Sequence, residues 1–181
     1  MKIPVTKVGA ARSQLIEAIN LFFEERDQIS IHTLVGASLQ ILNDHINSTD
    51  AKVNYLTLHY DNVFVKEEHR KFLYNKLNES KNFFKHADKD LKEGKLLIDF
   101  ETGLNEFNIW EAIRCLSIVE GKNYVVSAEF KVFNAWFFLK YPELIKEEYR
   151  DLFKPLNIDN ASFSFSDWRE ILRRNKLEEN N

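Results

Sequence analysis

The run Glu79-Ser80-Lys81-Asn82-Phe83-Phe84-Lys85-His86-Ala87-Asp88-Lys89-Asp90 gathers cations, an amide, two aromatic rings, an imidazole and carboxylates. Wound as a helix, in which each residue turns about 100°, it puts Asn82, His86 and Lys89 or Asp90 on one face. Lys81, Lys85 and Asp88 share the neighbouring face, and Phe83, Phe84 and Ala87 anchor the segment in the core. An imidazole beside two ammonium groups prefers its neutral form, which suits a general base. The lysines can hold a phosphate or steady a developing negative charge. Catalytic work would fall to His86, Lys81 and Asn82, and binding to Lys85, Asp88, Lys89 and His32. The same residues also make an ordinary helix end: Phe83 and Phe84 as core, the charges as a solvated face, and His86 bonded to a carbonyl.

His32 stands in Ile31-His32-Thr33-Leu34, so it points inward and meets another polar group. A satisfied core or surface histidine is the favoured account of it. If His32 and His86 lined one pocket, a small-molecule enzyme would follow. His45, next to Asp44 near a helix end, is explained by favourable contact with the helix dipole. The histidines 32, 45, 59, 69 and 86 are scattered, and no Glu-x-x-His pair occurs: Glu67 and Glu68 stand two and one positions before His69. No metal site is expected, and no cofactor. The chain has no glycine-rich phosphate loop, serine elbow, paired CxxC or HExxH.

Lys81-Asn82-Phe83-Phe84-Lys85-His86 resembles the Arg-Asn-three residues-His signature of HEPN domains. That superfamily consists of helical bundles, often dimeric, many of them metal-independent ribonucleases. The resemblance implies that Asn82 orients the imidazole and that His86 takes the proton of a ribose 2′-hydroxyl. It also implies a homodimer in which two copies of the run face each other across a groove. The family's arginine is Lys81 here. Lysine supplies charge without the planar fork that grips phosphate, which favours a domain that binds rather than cuts. Segments such as Ile31-His32-Thr33-Leu34-Val35-Gly36-Ala37 and Asn82-Phe83-Phe84-Lys85-His86-Ala87-Asp88 are also similar to a group of uncharacterised bacterial proteins. RNA is thus a partner under the nuclease reading, and a binding or scaffolding module is the leading expectation.

These groups need a rigid frame. The 181 residues carry 44% hydrophobic and 29% charged side chains, with fifteen Phe and three Trp against five Gly and three Pro. So many rings and so few turn formers predict an all-α bundle with an aromatic core. Apolar three-and-four spacing predicts long helices over 8–26, 31–47 (capped by Ser30), 66–84, 104–120 and 127–141. Short accessory helices are expected over 143–153 and from Asp167, where Asp167-Trp168-Arg169-Glu170 has capping-box form; Arg173–Asn181 is read as a polar tail. Residues 95–103 read as extended loop and 51–65 as either helix or loop. The core spans 1–155, with 156–181 packed on the same domain.

The net charge of −3 excludes a whole-protein basic field, so there is no DNA-specific signal. Lys66–Lys95 differs, with nine Lys/Arg against six Asp/Glu. The single Cys115 excludes an internal disulfide and sits in an apolar helical pattern as inert core, so a reducing, cytoplasmic setting is expected. No signal pattern and no membrane-length apolar window appears.

Overall fold

Thr6 begins the first helix, because its side chain can accept what the backbone cannot. Its Oγ1 accepts the Gly9 N–H at 3.0 Å. A computed structural model describes residues 2–48, 80, 83–84, 97–142 and 163–179. Among these residues there are five α-helices and no strand: α1 (Lys7–Phe23), α2 (Gln28–Ser48), α3 (Leu104–Glu120), α4 (Ala128–Lys140) and α5 (Phe165–Glu179). The all-α expectation is borne out. The helices expected over 143–153 and 66–84 lie outside the described residues, Ser80, Phe83 and Phe84 excepted, as do 51–65 and the boundary near 155.

Several helix ends depart from the sequence expectation. α1 stops at Phe23 rather than Arg26, because the chain closes in a Schellman turn. Arg26 N–H bonds Leu21 O at 2.9 Å, and Glu25 N–H bonds Phe22 O at 3.0 Å. Glu25 carries the turn at φ 55°. A glutamate there has the left-handed backbone that glycine adopts freely, so nothing in its residue type marked the stop. Glu25→Gly is expected to raise the unfolding free energy by about 1 kcal/mol, measured by urea denaturation. α2 starts three residues early because Asp27, not Ser30, is the cap. Its Oδ2 accepts Ser30 N–H at 2.8 Å and Ser30 Oγ–H at 2.6 Å, which hold its carboxyl below the usual range.

At α5 the capping box is Ser164–Asp167, one turn before the expected one. Asp167 Oδ2 accepts from Ser164 N at 2.8 Å, and Asp167 N–H donates to Ser164 Oγ at 3.2 Å. Glu170 turns outward instead, to Arg173 at 2.8 Å and Arg174 at 2.7 Å. That pairing carries the helix through Arg173–Glu179, the stretch expected as a tail. α3 matches its expected bounds. Gly121 ends it at φ 52°, where a side chain would be strained.

α1 is the hub. It runs antiparallel to α2, with Ser38 Oγ–H donating to Ala11 O at 2.9 Å. Its start meets the end of α3 through Arg12, whose guanidinium grips Glu120 at 3.1 and 2.8 Å and Val125 O at 2.6 Å. Its end packs on α4 and α5. Phe22 meets Phe133, Trp136 and Phe165 at centroid distances of 5.5, 4.8 and 5.5 Å, and Phe23 stacks on Trp168 at 6.4 Å. Burying such rings is the main driving force, each worth about 1.5–3 kcal/mol. α5 also ties to the hub through Lys176, which reaches Asn20 at 2.6 Å and Glu129 at 2.9 Å. It is thus an integral layer of the same core, with Trp168 and Leu172 buried.

Residues 97–101 form neither helix nor strand and 102–103 form a turn, so the strand-like run Leu97–Phe100 is a loop. This loop delivers Phe100 to the head of α2.

Candidate functional site

α2 and α3 lie side by side and parallel. Their first turns meet at His32 and Asn105, and further along Asn43 meets Cys115. At the first of these points the polar run touches the described frame. Phe84 N–H bonds Ser80 O at 3.1 Å, the four-residue step of a helical turn, and Ser80 is buried. The Phe84 ring stands edge-on to His32 with centroids 5.6 Å apart and to Phe100 at 5.2 Å. Phe100 meets His32 at 5.0 Å, and Phe83 meets Phe84 at 5.8 Å. Phe84 thus packs on the head of α2 and Phe83 packs on Phe84, both rings half-buried rather than in the core. Lys81, Asn82, Lys85, His86, Asp88 and Lys89 lie outside the described residues.

His32 does point inward and does meet a polar group. It is 2% exposed, with Nδ1 2.9 Å from Asn105 Oδ1. Asn105 is itself wholly buried, and its Nδ2 donates to Gln28 O at 2.9 Å and Gln28 Oε1 at 3.0 Å. The amide thus pins the first turn of α3 to the first turn of α2. That contact satisfies polar groups which would otherwise cost about 1–3 kcal/mol each.

Sequence reasoning missed that this contact belongs to a longer polar seam. Asn105, Asn108, Glu111 and Cys115 fall three, three and four residues apart, on one face of α3, and all are buried. The signal was present as polar residues at helical spacing inside an apolar helix. The rings of Phe107 and Trp110 draw attention to the opposite side, where they pack on α4: Trp110 stacks on Phe137 at 5.3 Å, and Phe107 meets it at 5.5 Å. Both rings are only partly buried, because α3 serves two neighbours.

Glu111 centres the far end of the seam. Arg114 Nε donates to its Oε2 at 2.9 Å and Nη2 to its Oε1 at 2.7 Å, a side-on fork. Cys115 Sγ lies 3.6 Å from Glu111 Oε1 and 3.9 Å from Asn43 Oδ1. Burial pushes the Glu111 carboxyl above its ordinary range, and the Arg114 fork recovers only part of that. Burial also pushes the Cys115 thiol far up, and the neighbouring carboxylate adds to it. The thiol therefore stays protonated, in line with its reading as inert core. In the native protein Cys115 is expected to resist iodoacetamide while the urea-unfolded chain reacts fully, a difference read by mass spectrometry.

No family model, curated protein or solved structure matches this chain. Among the described residues no group of three or more His, Cys, Asp or Glu side chains is placed to hold a metal ion. None of the described helices is long and apolar enough to cross a membrane.

Proposed function

We propose that the chain is a helical binding module whose ligand-facing groups are those of the run Lys81–Asp90, and that the ligand carries phosphate. One observation supports this reading above the others. Phe84, which belongs to the run, packs against His32 and Phe100, where the first turns of α2 and α3 meet the 97–103 loop. A polar segment mounted on rigid elements can be precise in a way that a free charged loop cannot. The excess of lysine over acidic residues in Lys66–Lys95 supplies the sign of charge that phosphate requires. Lys81 in place of an arginine offers charge without bidentate geometry, which suits holding over transition-state work.

The second reading is a metal-independent endoribonuclease acting as a homodimer, with His86 as base, Asn82 orienting it and Lys81 on the phosphate. The bond from Phe84 N–H to Ser80 O, a four-residue step, favours it, because the motif needs a helix to bring Asn82 and His86 to one face. The small-molecule enzyme has less in its favour, since His32 is buried and engaged with Asn105.

A short single-stranded oligoribonucleotide, added in the presence of a chelator, separates the first two. A binding module predicts saturable, salt-sensitive binding to the intact strand, lost in the Lys81→Ala/Lys85→Ala double variant. Cleavage that disappears in His86→Ala gives the ribonuclease. Neither binding nor cleavage rejects both.

A further inference from the structure

Four helix ends meet at one end of the molecule. Arg12 joins the start of α1 to Glu120, at the end of α3, and to Val125 O just beyond it. Its guanidinium lies 5.2 Å from the Phe130 ring in the first turn of α4. Lys131, in that same turn, meets Glu179 at the end of α5 at 3.2 Å. Of the nine large apolar side chains exposed among the described residues, six stand at this end: Ile3, Val5, Ile118, Val125, Val126 and Leu177. Single exposed apolar residues need no explanation, but a cluster of them marks a surface that meets something. We infer that this tip attaches the protein peripherally to an anionic lipid surface, with Ile3, Val5, Val125 and Val126 entering the headgroup layer. The inference does not depend on the run 81–90.

Charge and shape select that partner. Residues 2–7 and 121–127 carry three lysines, Lys2, Lys7 and Lys122, and no carboxylate, in a chain whose net charge is −3. All three are exposed, and none forms an ion pair with a described residue. Nearby carboxylates are taken: Glu120 by Arg12, Glu129 by Lys176 and Glu179 by Lys131. Asp44 and Glu178 remain, on the flanking helices α2 and α5, whereas the lysines stand beside the apolar side chains themselves. A protein partner finds its anchors in pockets. Ile3, Val5 and Val125 are 69%, 63% and 68% exposed, so they stand proud of the surface instead of lining a groove. A fluid headgroup layer accepts such a tip: the aliphatic groups enter it and the lysines meet its negative charge. The remaining, acidic surface is repelled, which orients the molecule tip-first.

The test is co-sedimentation of the full chain with vesicles of phosphatidylcholine, alone or with about one-third phosphatidylserine. Binding is expected to the anionic vesicles only, and to weaken with added salt. Lys2→Ala/Lys7→Ala/Lys122→Ala, which alters exposed side chains only, is expected to lower the affinity about a hundredfold, about fivefold for each lysine. Because Cys115 is buried, a Val125→Cys variant can be labelled at that position alone with nitrobenzoxadiazole. Its emission should shift to the blue on anionic vesicles, and the same label in Glu24→Cys, beyond the other end of α1, should not shift. No binding to anionic vesicles at low salt overturns the inference. So does binding that leaves the Val125→Cys label unshifted, which would put the attachment elsewhere on the chain. Self-association that is abolished by Val125→Ser/Val126→Ser, without vesicle binding, would assign the tip to a second copy instead.

Discussion

Glu111→Leu is expected to destabilise the protein by about 3–5 kcal/mol, because it leaves a guanidinium in the interior without its carboxylate. Arg114 shows 12% side-chain exposure and Glu111 7%, and they meet at 2.7 Å. The two partners are not equivalent. Arginine cannot shed its proton, whereas a glutamate can take one up. In Arg114→Met the carboxyl, already raised by burial and now without its fork, is expected to rise further.

The sign of the pH dependence follows. A carboxyl whose pKa is higher folded than unfolded binds more protons in the folded state. Stability is then greatest below the unfolded value, about 4.3 for glutamate, and falls as pH rises through the folded one. Arg114→Met should thus lose stability steadily from acid toward neutral pH, while Glu111→Leu should show no such slope. The Glu111→Leu/Arg114→Met double variant, in which neither charge is left, should recover most of the loss. Chemical denaturation at acid and at neutral pH measures all three. A double variant as unstable as Glu111→Leu would show that the pair is not coupled.

Phe133→Ala is the second large effect, expected to cost about 3–5 kcal/mol in urea denaturation. Phe133 is wholly buried. It joins Phe22 at 5.5 Å, Trp136 at 5.4 Å, Phe23 at 6.2 Å and Phe137 at 6.2 Å. These contacts bind α4 to the hub helix, so a void there loosens both helices. Phe133→Leu fills most of the space and should cost less than half as much.

Helix type and packing were legible in the chain because apolar spacing reports directly on buried faces. Leu15, Ile19, Phe22 and Phe23 are all core, and α3 runs between the residues its pattern and Gly121 mark. The ends were less legible wherever two chemistries competed for one role. Asp27 outcompetes Ser30 as a cap, Ser164 draws Asp167 into a box, and Glu25 takes a conformation that its side chain does not advertise. At the site, the aromatic contact was readable from Phe83 and Phe84 and the inward turn of His32 from its neighbours. Its partner was not, since nothing local links Asn105 to a histidine so far back in the chain. Polar seams of this kind are visible only once two helices have been laid side by side.

In the proposed binding module the groups of 81–90 hold the ligand, and Phe84 ties them to His32 on α2. The most direct measurement follows the His32 ring resonances and the backbone amides of 81–90 together, as the oligoribonucleotide is titrated into the full-length protein. Both sets are expected to move with one saturation curve, and Phe84→Ala to uncouple them. Saturable binding that leaves both sets still and shifts resonances elsewhere would contradict the proposal.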